Sequence, residues 1–420
     1  MIEKLFKINI CEKHPEYCSI EYLWDNIWSI PEFAILKTCE QNPKWHGEGN
    51  VMNHTALVIK HALQIVNNDM TYDGIHINGY LDAESNHKRN EFETVWLDKK
   101  HFNDTLILLT AALFHDIGKG VTTRLGKDGN YHSYNHEFEG EKLTRLLLWD
   151  ENIHFREAVC SLVKYHMMPL SLFNSKDYLE KIVQISHNVP SWELLLKLKS
   201  CDLEGSLQED NLLKERDTLY LSELVDITTN INFKGFPSKR HYGIKYYERN
   251  TKKPLDIYIL IGLSGAGKNT FINNIFEDDV VAINGKVIKK LDKDNTTIIS
   301  RDDIRIKLGY CSENEKIVGT TEQENKVSEV FNEEVLSAAK EGKTIIINNI
   351  NLKKEYRSQI INMFSNYCLT INYVYIQADK LQKNFDRREG QMNSDSIIRQ
   401  IKNFDWPDFY EYDKFYILTN

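Results

Sequence analysis

Apolar residues recur along this chain with two different periods, and the change between them divides it. In residues 53–66, Ala56, Ile59, Leu63 and Val66 fall at helical spacing, which predicts a helix. Residues 105–114 are apolar on all sides and predict a buried helix. Further helices are expected over 137–149, 155–165 and 192–201, and the polar stretch 71–93, with Asp, Gly and Asn signals, as an inserted loop. The first half therefore reads as all-α. After Ile231 the texture changes. Gly235, Pro237, Gly243 and Pro254 punctuate a charged arm, and then 256–261 is a short β-branched run followed by glycines. Strands are expected over 256–261, 296–300, 344–348 and 371–376, with helices over 322–340 and 356–364 between them. Alternation of this kind implies an α/β fold with a mostly parallel sheet. The domains are drawn at 1–231 and 254–420, joined by a linker at 232–253.

Length agrees with this division, because 420 residues exceed what one ordinary core supports. The hydrophobic fraction of 41% suits a folded chain rather than a disordered one. Seven cysteines are scattered, with no Cys-x-x-Cys pair, which argues against a disulfide framework or a thiolate zinc site and fits a reducing, cytoplasmic location. The first ten residues do not read as a signal peptide, and no apolar run is long enough for a membrane span. A formal charge of −9 speaks against nonspecific coating of nucleic acid, so any such contact must be local. One local candidate is the linker, where Lys234, Lys239, Arg240, Lys245, Arg249 and Lys252 interleave with aromatic residues, a mixture suited to single strands.

Chemistry enters with Gly262-Leu-Ser-Gly265-Ala-Gly267-Lys268-Asn269-Thr270, set between an expected strand and a helix. That is the context of a phosphate-binding loop: glycines let backbone N–H groups face a phosphate chain, and Lys268 reaches the β/γ-phosphates. The position after the lysine ordinarily carries a hydroxyl for Mg²⁺; here it is Asn269, followed by Thr270. Farther on, Ser300-Arg-Asp302-Asp303-Ile-Arg305 follows another expected strand. At this point the second half resembles the 5′-hydroxyl polynucleotide kinases. The resemblance implies ATP as phosphate donor (or another nucleoside triphosphate) with Mg²⁺, Asp302 as general base for the attacking hydroxyl, and Arg305 holding a substrate phosphate. Asn348-Asn349-Ile-Asn351-Leu, with Arg357 after it, resembles the family's strand-end element, Asn349 standing at the usually acidic position. Residues 386–390 lie where the family places a lid, so Arg387 or Arg388 is implied over the ATP phosphates.

The first half holds Trp45-His46-Gly-Glu-Gly-Asn-Val51-Met-Asn-His54, then His115-Asp116-Ile-Gly118-Lys119, His136-Glu137, Tyr165-His166 and Cys201-Asp202. Imidazoles and carboxylates together are an ordinary ligand set for divalent transition metals. This ordered pattern resembles the HD phosphohydrolase superfamily. By that resemblance His54, His115, Asp116 and Asp202 hold a metal such as Mn²⁺, Ni²⁺, Co²⁺ or Zn²⁺. His136 and His166 hold a second metal or contact the phosphate, and Lys119 stabilises charge on the phosphoryl oxygens. The remaining histidines, among them His61 and His132, fit no element of the pattern.

An HD phosphoesterase followed by a polynucleotide kinase resembles the layout of the bacterial HD-Pnk end-healing enzymes. It implies phosphorylation of 5′-hydroxyl ends of RNA or DNA, removal of 2′/3′-phosphate or 2′,3′-cyclic phosphate from 3′ ends, and a functional link to a ligase. Two other readings stand beside it: an HD nucleotidase fused to a small-molecule kinase, and a catalytically decayed nucleic-acid-binding sensor.

Overall fold

The computed structural model describes residues 27–72, 99–208, 211–233, 254–311, 319–389 and 391–420. Most of the expected loop at 71–93 and of the linker at 232–253 lies outside these residues. The chain divides into two compact units, Met1–Phe236 and Pro237–Asn420. Among the described residues no helix is long and apolar enough to cross a membrane.

The first unit is built on helices α1 (Val51–Tyr72), α2 (Lys99–Phe114), α3 (His136–Leu147), α4 (Ile153–Tyr165), α5 (Tyr178–Asn188), α6 (Trp192–Gly205) and α7 (Asn211–Asn230). Phe33, Val58, Ala62, Phe114, Leu162 and Leu195 are among the residues of its core. Residues 107–119 are buried without a break, so the apolar α2 runs through the centre and delivers its C-terminal end there. Buried side chains on every side explain the missing amphipathic period. Two short strands, β1 (Arg124–Leu125) and β2 (Tyr131–His132), pair antiparallel among the helices of this unit. Their turn carries Gly126, Asp128 and Gly129, a hairpin signal too short for the apolar pattern to show.

Gly118 fixes how the end of α2 meets α3. A Cβ at Gly118 would lie 1.9 Å from the carbonyl oxygen of His136 and 2.6 Å from Gly140 N. No side chain fits there, and this close approach is what sets His136 beside the turn carrying His115 and Asp116.

The second unit is a parallel five-stranded sheet of β3 (Leu255–Ile261), β6 (Thr296–Ile299), β7 (Thr344–Ile347), β8 (Leu369–Gln377) and β9 (Lys414–Thr419), in the order β6-β7-β3-β8-β9. A separate antiparallel pair, β4 (Val280–Val281) and β5 (Val287–Ile288), completes the strands. Helices α8 (Lys268–Ile275), α9 (Arg301–Lys307), α10 (Thr321–Lys340), α11 (Lys354–Asn362), α12 (Leu381–Asp386) and α13 (Ser394–Lys402) connect them. Residues 257–261 of β3 are all buried, as a central strand covered on both faces requires. From β3 the chain first builds the β6–β7 side and then crosses to β8 and β9. The carboxyl end of β3 is therefore the topological switch point, where open α/β sheets bind ligands.

Candidate metal centre and phosphate loop

In the first unit six of the residues singled out by sequence converge in one buried place. His54 comes from the first turn of α1, His115 and Asp116 from the turn after α2, His136 from the start of α3, His166 from just beyond α4, and Asp202 from the last turn of α6. Asp116 is at the centre. Its Oδ2 lies 3.3 Å from His115 Nε2 and 3.7 Å from His54 Nε2, while its Oδ1 lies 3.3 Å from His136 Nε2 and 3.9 Å from His166 Nε2. Asp202 Oδ1 is 3.0 Å from His54 Nε2 and 3.8 Å from His115 Nε2.

Backbone carbonyls fix the tautomers. Nδ1–H of His115 donates to Ala112 O at 2.8 Å, that of His136 to Ser133 O at 2.8 Å, and that of His166 to Val163 O at 2.7 Å. In each ring the Nε2 lone pair is then left to point inward. His115 Nε2 is buried without a hydrogen-bond partner. His136 Nε2 and His166 Nε2 face each other at 3.3 Å, an arrangement of two acceptors that needs a cation or a proton between them. The donor set therefore fits divalent metal, with one Asp116 oxygen turned toward each of two groups of ligands, His54–His115–Asp116 and Asp116–His136–His166.

Electrostatics agrees with a cation-binding cavity. Burial alone would raise the Asp116 pKa, but the Lys119 charge and the neighbouring His115 and His136 rings hold it well below the usual carboxylate value. Asp202 is likewise held down against burial by Lys199 and His54. Burial and the neighbouring His136 and His115 keep the His166 pKa well below its ordinary value, so the ring is neutral, as a ligand must be. His54 goes the other way: burial opposes it, yet the carboxylates of Asp202 and Glu48 push it up to about 9, so a metal at this ring displaces a proton.

Several partners escaped the sequence reading. Glu48 Oε1 lies 2.9 Å from His54 Nδ1 and accepts from His46 Nδ1 at 2.7 Å, while its Oε2 accepts from Leu207 N. Glu48 thus aims the His54 ring, and its His-x-Glu position upstream of His54 was the one available signal. Lys199 Nζ reaches Asp202 Oδ2 at 2.5 Å, a pair that helical i,i+3 spacing would have revealed. Lys119 Nζ is 2.7 Å from Asp116 Oδ2 and donates to Gln41 Oε1.

In the second unit the loop after β3 takes the shape its glycines allow. Gly265 and Gly267 have φ of +78° and +100°, and Gly267 caps α8. Lys268 Nζ donates to the carbonyls of Gly262 and Leu263 at 2.9 and 3.0 Å, inside the loop. Burial and the Arg388 guanidinium push its pKa down to about 7, while the Asp302 charge pulls it up, so these three groups share one electrostatic neighbourhood. Arg387 Nη1 donates to Gly265 O at 2.9 Å. Asn269 and Thr270 are exposed on the first turn of α8, and Asn269 Oδ1 accepts from Asn348 Nδ2 at 3.0 Å.

Ser300 caps α9 by accepting from Asp302 N and Asp303 N, which fixes both carboxylates at the end of β6. Arg305 is engaged rather than free: Nη1 donates to Asp302 Oδ1 at 2.7 Å, and Nε and Nη2 grip Glu324 at 2.8 and 2.7 Å. It holds Asp302 in place, a position that Glu324, nineteen residues away, could not announce in sequence. Asn349 Oδ1 accepts from Arg301 N. Arg357 is fully buried on Glu411 and the carbonyls of Asn351 and Leu352, so it braces the fold.

Residues 92–189 match the HD domain family, and residues 257–405 match the AAA domain family AAA_33. The chain therefore joins a metal-dependent HD domain to a P-loop, kinase-like domain of the kind that works with ATP and Mg²⁺. His115, Asp116, His136 and His166 lie inside the first match, His54 and Asp202 outside it; the phosphate loop, Asp302 and Arg388 lie inside the second. No curated protein matches the chain. Among solved structures, two chains from Pnkp1/Rnl/Hen1 complexes show 17% and 20% identity over 34% and 39% of this chain, with TM-scores of 0.27 and 0.29. The chain spans 43% and 51% of the lengths of those two chains. A sugar kinase from Janibacter sp. HTCC2649 shows 14% identity over 40% of this chain and 86% of its own, with a TM-score of 0.27. At these TM-scores the structural likenesses carry no argument about function.

Proposed function

We propose that the protein heals broken nucleic-acid ends: its P-loop domain phosphorylates 5′-hydroxyl termini of RNA or DNA from ATP, and its HD domain removes 2′/3′-phosphate or 2′,3′-cyclic phosphate from 3′ termini. The observation that carries the reading is the pairing, in one chain, of a buried His/Asp set that could hold metal with a phosphate loop whose lysine feels the charge of Asp302, a carboxylate held by Arg305.

In the kinase domain Asp302 accepts the proton of the attacking hydroxyl, and Arg305, locked by Glu324, keeps that carboxylate oriented. Lys268 would leave the loop carbonyls for the β/γ-phosphates, Arg388 or Arg387 would meet the outer phosphate oxygens, and Asn269 and Thr270 are the residues that would hold Mg²⁺. In the HD domain His54, His115, Asp116 and Asp202 would hold one divalent metal, and Asp116, His136 and His166 a second. The bound metals would supply an acidified water and a polarised phosphoryl group. Lys119, 2.7 Å from Asp116 Oδ2, offsets its negative charge and would stabilise charge on the phosphoryl oxygens. A ligase working in the same reducing, cytoplasmic compartment would consume both products.

The test is to incubate an oligonucleotide bearing a 5′-hydroxyl and a 3′-phosphate with ATP, Mg²⁺ and, in turn, Mn²⁺, Ni²⁺, Co²⁺ and Zn²⁺, and to map both ends. The reading expects a new 5′-phosphate and a new 3′-hydroxyl. Turnover of free nucleosides and nucleotides with no change at either oligonucleotide end would replace it with a small-molecule nucleotidase–kinase.

A further inference from the structure

Several exposed aromatic and apolar residues lie next to histidines of the HD region in sequence. Trp45 precedes His46, Tyr134 and Phe138 lie two residues either side of His136, and Met167 follows His166. The most exposed of them is Tyr134, at 76%. It is not loose. Its ring stacks on His132, with centroids 5.4 Å apart and planes 3° from parallel. His132 is in turn pinned through Nε2 to both carboxylate oxygens of Asp128, at 3.1 and 3.0 Å. The stack therefore stands on the β1–β2 hairpin as a preformed platform.

The platform is also tied to the metal-facing residues. Ser133, between the two stacked residues, accepts the Nδ1–H of His136 on its carbonyl, and its hydroxyl bonds Thr123 Oγ1 at 2.7 Å. Asn135, at φ +60°, turns the chain sharply between Tyr134 and His136. Two residues of chain span about 7 Å at most, comparable with the reach of one nucleotide from base to phosphate. The charge is suitable as well. Residues 123–134 contain Arg124 and Lys127, both exposed, and one acid, Asp128, which is paired with His132. In a chain of net charge −9 this is a locally cationic, aromatic element, the combination that holds single strands by stacking and phosphate contact.

We propose that the hairpin is the substrate platform of the HD site: Tyr134, backed by His132, stacks on the terminal nucleobase of a single-stranded polynucleotide, while Arg124 and Lys127 take its backbone phosphates. This rests on the end-healing reading and adds how the substrate is chosen. The platform explains selection of a polynucleotide end over a simple alkyl phosphate, because the latter has no base to stack.

Two measurements on the full chain test it. In the first, a single strand ending in 4-thiouridine 3′-phosphate is irradiated with the protein in the presence of chelator, and adducts are mapped by mass spectrometry. The proposal expects the adduct on the peptide carrying Tyr134; a base adduct confined to other segments overturns it. In the second, kcat/KM for release of the 3′-phosphate from the oligonucleotide is divided by that for glycerol 2-phosphate, in Mn²⁺. Tyr134→Ala should lower this ratio about tenfold, within the range for loss of one stacked base, mainly through KM, and Tyr134→Phe should restore it. A ratio equal to wild type in Tyr134→Ala overturns the platform. Wild-type turnover of glycerol 2-phosphate with none of any oligonucleotide end overturns the end-healing reading itself.

Discussion

Asp116 is the residue on which the HD site turns. Each of its oxygens faces a different group of imidazoles, so no neighbour can replace it. Asp116→Ala should cut phosphate release by at least about 100-fold and lower the metal retained after gel filtration; normal release from a folded variant would refute the assignment. Asn269 poses the opposite question. Its amide oxygen is already engaged by Asn348, and a hydroxyl is the usual group at this point of a phosphate loop. Asn269→Ser should keep or improve kinase activity at low Mg²⁺, measured as a Mg²⁺ titration of 5′-phosphorylation. Loss of transfer would show that the amide has a role of its own. Residues like these were legible because their types and spacing are unusual. Glu324 was not, since it matters through a partner nineteen residues away that the fold brings to it, and Glu48 had only its His-x-Glu spacing to mark it.

At the scale of elements, α3 and α4 are locked by a buried ion-pair group. Arg145 of α3 lies against Glu141 and Glu157, and Arg156 also donates to Glu157, on α4. Burial would raise the Glu157 pKa, but the two guanidiniums hold it below its ordinary value of 4.5. A depressed folded pKa gives stability that is fully present above the unfolded value and is lost as the pH falls through the folded one. Glu157→Ala leaves buried guanidinium charge with less compensation. It should cost about 3–5 kcal/mol at pH 7, lowering the first thermal transition by about 10 °C. That difference should shrink below about pH 4; a gap that does not change with pH would contradict the account. Most elements were legible because period and burial agree, as in β3 and α10. Those that were missed include α5, α7, β9 and the β1–β2 and β4–β5 pairs, whose patterns are mixed or very short and are resolved only by packing.

For the whole molecule, the break in hydrophobic period near Ile231 and the two compact units, Met1–Phe236 and Pro237–Asn420, give each chemistry its own core. The activities should therefore be separable. Sequence disclosed the two domain classes, HD and P-loop, and their order. It did not disclose the hairpin platform, because Tyr134 and His132 matter only once the fold stacks them beside His136. The most direct test of the central claim maps both ends of one 5′-hydroxyl, 3′-phosphate oligonucleotide after treatment with wild type, Lys268→Ala and His115→Ala, each checked for folding by circular dichroism. Wild type should convert both ends. Lys268→Ala should lose 5′-phosphorylation by about 100-fold or more and still release the 3′-phosphate, and His115→Ala should do the reverse. If a folded Lys268→Ala also lost phosphate release, or a folded His115→Ala lost 5′-phosphorylation, two independent end-healing sites would be contradicted.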